Sequence, residues 1–119
     1  MTTADLGTAM WPITLDPSDH PVPVERRTEI LADPGFGVHP TDHLVRATWT
    51  SEDGWHDARL EAFAPLQFDP LTNFMHYGQA IFEGLKAYRH ADGRIVTFRP
   101  GQNAERFARS ARRLAMAEL

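Results

Sequence analysis

Residues 75–100 read MHYGQAIFEGLKAYRHADGRIVTFRP. Ala91, Asp92 and Gly93 separate two runs rich in apolar residues, and Gly93 tolerates the positive backbone angle of a tight turn. AIFEGLKAYRH and RIVTFRP are therefore predicted to pair as a β-hairpin. Alternation along the second strand puts Val96 and Phe98 on one side, and Thr97 and Arg99 on the other. An arginine at that strand end can present its planar fork to a phosphate through two parallel hydrogen bonds, although a surface ion pair is the commoner use. Tyr77 and Phe82 flank a glycine-containing turn and can line a pocket for an aliphatic side chain; core packing competes with that reading. Gly84 allows close backbone approach, and Glu83 beside it is read as a hydrogen-bond organiser.

Upstream, HLVRATWT (43–50) and WHDARLEAFAPL (55–66) are read as two antiparallel strands joined by a turn at SEDG. With the second hairpin, four strands are expected in one antiparallel sheet. After Pro100 the period changes to 3.6: Ala104, Phe107, Ala108, Ala111, Leu114 and Ala115 share a helical face expected to pack on that sheet, with Asn103 as N-cap. Arg109, Arg112 and Arg113 gather toward the helix C-terminus, where cations complement the dipole. Six of the nine prolines fall within the first forty residues, so residues 1–33 are expected to form an extended arm with a short helix over Val24–Leu31. A turn-rich break at Asp33–Gly37 then precedes a small α+β domain over 34–119.

The chain has 119 residues and no cysteine, which suits one modest domain and removes disulfides and thiol chemistry. No apolar run approaches membrane-spanning length, MTTADLGTAM lacks the features of an export signal, and the expectation is a soluble cytoplasmic protein. A net charge of −4 argues against nucleic acid. Six histidines do not form a ligand pattern: His39 and His43 are separated by Pro40 without a helical frame, so no metal is expected. Gly35 and Gly37 begin a dinucleotide-like glycine run that Pro40 breaks.

Taken together, HYGQAIFEGLKAYR, the ADGRIVTFRP hairpin and the NAERFARSARRLAM helix closely resemble the branched-chain amino acid aminotransferases, fold-type IV pyridoxal-phosphate enzymes. PGFGVHPTDHLVRATWT, GWHDARLEAFAPL and DPLTNFMHYGQ follow in the family's order, so the likeness covers roughly residues 30–119. The resemblance implies the small α+β N-terminal domain of a homodimeric enzyme. That enzyme uses pyridoxal 5'-phosphate to move the amino group of leucine, isoleucine or valine to 2-oxoglutarate. It implies Arg99, in FRP, as the cofactor-phosphate arginine, and Tyr77 and Phe82 as substrate-binding residues. Ala80 and Met75 depart from the family pattern in size.

In the family the cofactor-holding lysine lies in the C-terminal domain. Lys86, the only lysine here, sits at the FEGLK position and is not its counterpart. The helix ends at MAEL without a glycine or proline stop, and the expectation is a fragment, inactive alone, with no catalytic residue of its own. Rival readings are D-amino-acid aminotransferase, aminodeoxychorismate lyase and a non-catalytic dimerisation module.

Overall fold

A computed structural model of the chain describes residues 2–4 and 12–119. The remainder of the MTTADLGTAM stretch read above for export lies outside the described residues. Two compact units are present, residues 1–66 and 67–119.

In the first unit, β1 (Thr2–Ala4), β2 (Ile13–Asp16), α1 (Val24–Ala32), β3 (His43–Thr50) and β4 (Gly54–Ala62) follow in order. The expected β3–β4 hairpin forms, closed by Ser51–Asp53, and Gly54 opens β4 at φ 67°, a left-handed conformation that glycine takes without strain. Trp49 faces Trp55, and Arg46 reaches diagonally to Glu61 at 2.9 Å. The register shifts between Arg46 and Thr48, where Asp57 and Ala58 together oppose Ala47. Asp57 takes φ 52°, and this bulge interrupts the alternation expected along β4. Ala58 is the buried apolar residue there.

The sheet has the order β1-β2-β4-β3. β2 runs parallel to β4 with Leu15 opposite Leu60, so the sheet is mixed where a purely antiparallel one was expected. Parallel neighbours need a crossover, and the stretch carrying α1 and β3 supplies it. Much of the proline-rich N-terminal stretch is tied down by side chains. Ser18 N donates to His43 Nε2 at 3.0 Å, Val22 N to Asp42 Oδ1 at 2.9 Å, and Arg27 Nη2 to Asp42 Oδ2 at 3.0 Å. His43 is thus spent on a backbone amide.

The second unit holds α2 (Asn73–Tyr77), β5 (Ala87–Arg89), β6 (Ile95–Thr97) and α3 (Pro100–Arg113). β5 and β6 form a separate antiparallel two-stranded sheet, Tyr88 opposite Val96. The second hairpin therefore exists, but its first strand begins at Ala87 instead of Ala80. α3 starts at Pro100, three residues before the expected cap, because proline carries its helical φ ready-made and needs no amide partner in the first turn. Asn103 lies inside the helix, and the cap position belongs to Arg99. Ala111, on the expected apolar face, is fully buried. The architecture is α+β, as expected.

Two glycines separate backbone demand from space. Gly54 has room for a methyl group but a left-handed φ, whereas Gly101 has room and an ordinary φ within the first turn of α3. Gly54→Ala is expected to cost about 1–2 kcal/mol. Gly101→Ala should stabilise by about 0.4–1 kcal/mol through the unfolded chain, and thermal melts of the two variants check the opposite signs.

Candidate functional site

The residues singled out in the sequence all fall in the second unit. Tyr77 closes α2, where Gly78 at φ 63° turns the chain out of the helix, and its side chain is exposed. The turn before α2 is fixed by Asp69, whose carboxylate accepts from Leu71 N at 2.7 Å, and by an edge-to-face contact of Phe68 with Phe74 at 4.9 Å.

From Gln79 to Gly84 the backbone belongs to neither helix nor strand, yet it is firmly tied to α3. Gln79 Nε2 donates to Leu114 O at 2.9 Å, near the C-terminal end of the helix. Glu83 accepts from Asn103 Nδ2 at 2.9 Å and from Arg106 Nε and Nη2 at 3.0 and 2.5 Å, and Asn103 also donates to Gly84 O at 2.7 Å. The segment thus runs antiparallel to the helix. The attachments at Asn103 and Leu114 lie about 16 Å apart along the helix direction, a span bridged by the segment together with the side chains of Gln79, Glu83 and Asn103. The first half of the predicted strand is held by other bonds: the Gln79 and Glu83 side chains and Gly84 O meet α3 and its end, and Ala80 N donates to Gly78 O at 2.8 Å. The fastening comes from the 79–84 segment, where packing on the hairpin was expected.

A cavity of about 560 Å³ lies between this segment and the helix, with Ile81, Phe82 and Leu114 as its apolar wall and Arg106, Arg109 and Arg113 as its basic side. Arg106 is engaged by Glu83, whereas Arg109 and Arg113 have no ion-pair partner among the described residues. Phe82 is 85% exposed, its ring folded back toward Gly84, where an added Cβ would meet ring carbons at 3.7 and 3.8 Å.

Arg99 does not continue the alternation of β6, which ends at Thr97. It takes the left-handed conformation, φ 49° and ψ 53°, as N-cap of α3. Two residues, Phe98 and Arg99, separate the end of β6 from Pro100, and Arg99 makes the turn in a conformation that residues preceding proline rarely adopt. The Arg99 side chain is exposed and, among the described residues, no carboxylate pairs with it. An unpaired guanidinium at the amino end of a 14-residue helix is a donor set suited to a phosphate dianion. Among the described residues no hydrogen bond, ion pair or ring contact links Tyr77, Phe82 and Arg99 to one another. What joins their surroundings is the Glu83, Asn103 and Arg106 group. Only Glu83 of that group was singled out as an organiser from sequence, and the spacing of Asn103 and Arg106 on one helix face was the available signal.

No protein-family model matches the chain. Among curated proteins, a probable branched-chain-amino-acid aminotransferase of Streptomyces coelicolor is 56% identical over 107 residues, which is 90% of this chain and 30% of that protein. The branched-chain-amino-acid aminotransferase of Mycolicibacterium smegmatis is 52% identical over 89% of this chain and 29% of its own length. Branched-chain-amino-acid transaminase 1 of Bacillus subtilis is 48% identical over 71% of the chain and 24% of its own. The class these relatives define is the aminotransferases. Within it, these relatives are branched-chain-amino-acid aminotransferases; the chain is similar to the first two along about nine tenths of its own length and spans about 30% of theirs. Among the described residues no helix is long and apolar enough to cross a membrane.

The hydrogen bonds from Arg106 hold the Glu83 carboxylate below the usual range against a smaller opposing effect of desolvation, and Asn103 adds to the lowering. A depressed carboxylate contributes stability that is complete above its unfolded value of about 4.3 and fades as pH falls through the lower folded value. An NMR carboxyl titration is expected to place the Glu83 midpoint below those of the unpaired glutamates, and Arg106→Gln should move it back toward them.

Proposed function

We propose that the intact protein is a pyridoxal 5'-phosphate-dependent aminotransferase that moves the amino group of leucine, isoleucine or valine to 2-oxoglutarate. In this reading it works as a cytoplasmic homodimer in branched-chain amino acid biosynthesis. The observation that carries this reading is the 56% identity, along 90% of the chain, to a protein named for that family. Residues 34–119 would form the small domain behind an N-terminal arm over 1–33, beside a larger domain that brings the cofactor-holding lysine. The 119 residues alone are then inactive, since Lys86 does not occupy that position.

When bound, the cofactor supplies a conjugated ring that draws electrons from the substrate Cα. Arg99 would hold its phosphate: the guanidinium can donate two parallel hydrogen bonds to phosphate oxygens, and the amino end of α3 adds its positive potential. Phe82 would form the wall that receives the branched side chain, and Tyr77, displayed outward at the end of α2, would close the pocket of the partner subunit. Burying such a side chain contributes about 1.5–3 kcal/mol, enough to favour branched substrates over small ones. Both aromatics are exposed here, 82% for Tyr77 and 85% for Phe82, which supports a role in contacts beyond this chain.

The direct assay is amino transfer from leucine to 2-oxoglutarate by the intact protein; no transfer from any branched-chain amino acid sinks the reading. In that protein, Arg99→Ala is expected to weaken cofactor retention by more than about ten-fold, each 1.4 kcal/mol being roughly one decade, and absorbance titration measures it. Unchanged affinity would remove Arg99 from the phosphate site. Phe82→Ala should depress kcat/KM for leucine more than for glutamate, and equal losses would mean general damage to the fold.

A further inference from the structure

The segment carrying Phe82 has no strand or helix of its own, so something else must set where that ring stands. Resting on the reading of Phe82 and Arg99 just given, we propose that Glu83 is a positioning residue. Its carboxylate, gripped by Asn103 and Arg106, fixes the aromatic wall at Phe82 against the helix that Arg99 begins.

Three observations carry it. Asn103 and Arg106 stand at i and i+3 of α3, so they share a face and meet the same carboxylate, and Arg99 is the cap from which that helix starts. The grip is multiple: both Oε atoms of Glu83 accept from the guanidinium fork of Arg106, and Asn103 divides its amide between Glu83 and Gly84 O. A single exposed ion pair contributes little, but a bidentate arginine combined with a neutral donor fixes geometry as well as charge. The third is local: Phe82 precedes Glu83 directly and its ring lies beside Gly84, the other acceptor of Asn103. Movement of the Glu83 carboxylate therefore displaces the ring on one side and strains a backbone carbonyl on the other. The carboxylate is held ionised by these donors, so the grip persists at neutral pH.

The test uses the intact aminotransferase with Glu83→Gln, which leaves one acceptor oxygen for three donors, and Arg106→Lys, which keeps the charge but loses the fork. Each is made alone and combined with Phe82→Ala. The readouts are kcat/KM for leucine and for glutamate, cofactor affinity by absorbance titration, and melting temperature. Each single variant is expected to lower the leucine-to-glutamate ratio by about ten-fold while adding little to the loss already caused by Phe82→Ala, because Glu83 acts through Phe82. An unchanged ratio, or losses that multiply with those of Phe82→Ala, overturns the proposal and leaves Glu83 a stabilising residue only. Should Glu83→Gln fail to fold, Arg106→Lys decides by the same two criteria. Absence of branched-chain transamination in the unmodified protein is a separate outcome: it removes the functional reading, and this inference with it.

Discussion

The carboxylate of Glu83 is the point on which the second unit turns. Between α2 and β5 lie nine residues without a helix or a ladder, and such a stretch is defined only if its polar groups find partners elsewhere. Here Gln79 is tied to the carbonyl of Leu114, and Glu83 and Gly84 to Asn103 and Arg106. The two attachments are about three helical turns apart, so the segment follows the helix between them. Ala80, Ile81, Phe82 and Glu83 all border the cavity, and Glu83 reaches from there to the donors on α3.

Polar fastening of this kind matters because buried apolar area is scarce. Ala58 and Ala111 are the buried apolar residues among those described, while Phe36, Tyr77, Phe82 and Phe98 are exposed. Large aromatics left in contact with water represent unspent burial, each worth a few kcal/mol when covered. Their exposure agrees with the match to about 30% of the length of the relatives, and it supports the proposal that further parts of an intact enzyme cover them. The hydrogen-bonded ladders and ion pairs would then set the shape of each unit, with most of the hydrophobic stabilisation arising on assembly.

What the sequence disclosed depended on how local the cause was. The β3–β4 hairpin, α1 and α3 were legible because alternation, a 3.6 period and turn residues lie within a few positions of what they control. The parallel pairing of β2 with β4 was not, since Leu15 and Leu60 are brought together by a crossover that no local pattern encodes. The bulge at Asp57 was hidden for a related reason: a single extra residue is visible only once both strands are in register. At the site, Arg99, Tyr77 and Phe82 were drawn from family motifs, whereas Asn103 was misread as a cap because its use by Glu83 spans twenty residues. A side-chain amide can satisfy either role, and sequence alone does not say which partner arrives first.

Arg99 combines two unfavourable choices. A non-glycine residue in the left-handed region costs roughly 1–2 kcal/mol, and a cation at the amino end of a helix forgoes the roughly 0.3–1 kcal/mol that an anion would gain there. Neither is offset by a carboxylate, since none pairs with it among the described residues. Strain kept without a local reward points toward a reward supplied from outside, and the chemistry that would provide it is narrow. A neutral ligand would relieve nothing, and a cation would worsen both the charge of the guanidinium and that of the helix end. A dianion with several acceptor oxygens answers both together, receiving the fork of the guanidinium and the positive potential of α3 at one point. Pro100 removes an amide from the first helical position, so in the proposed phosphate contact the side chain of Arg99 would carry a larger share than at an ordinary helix start.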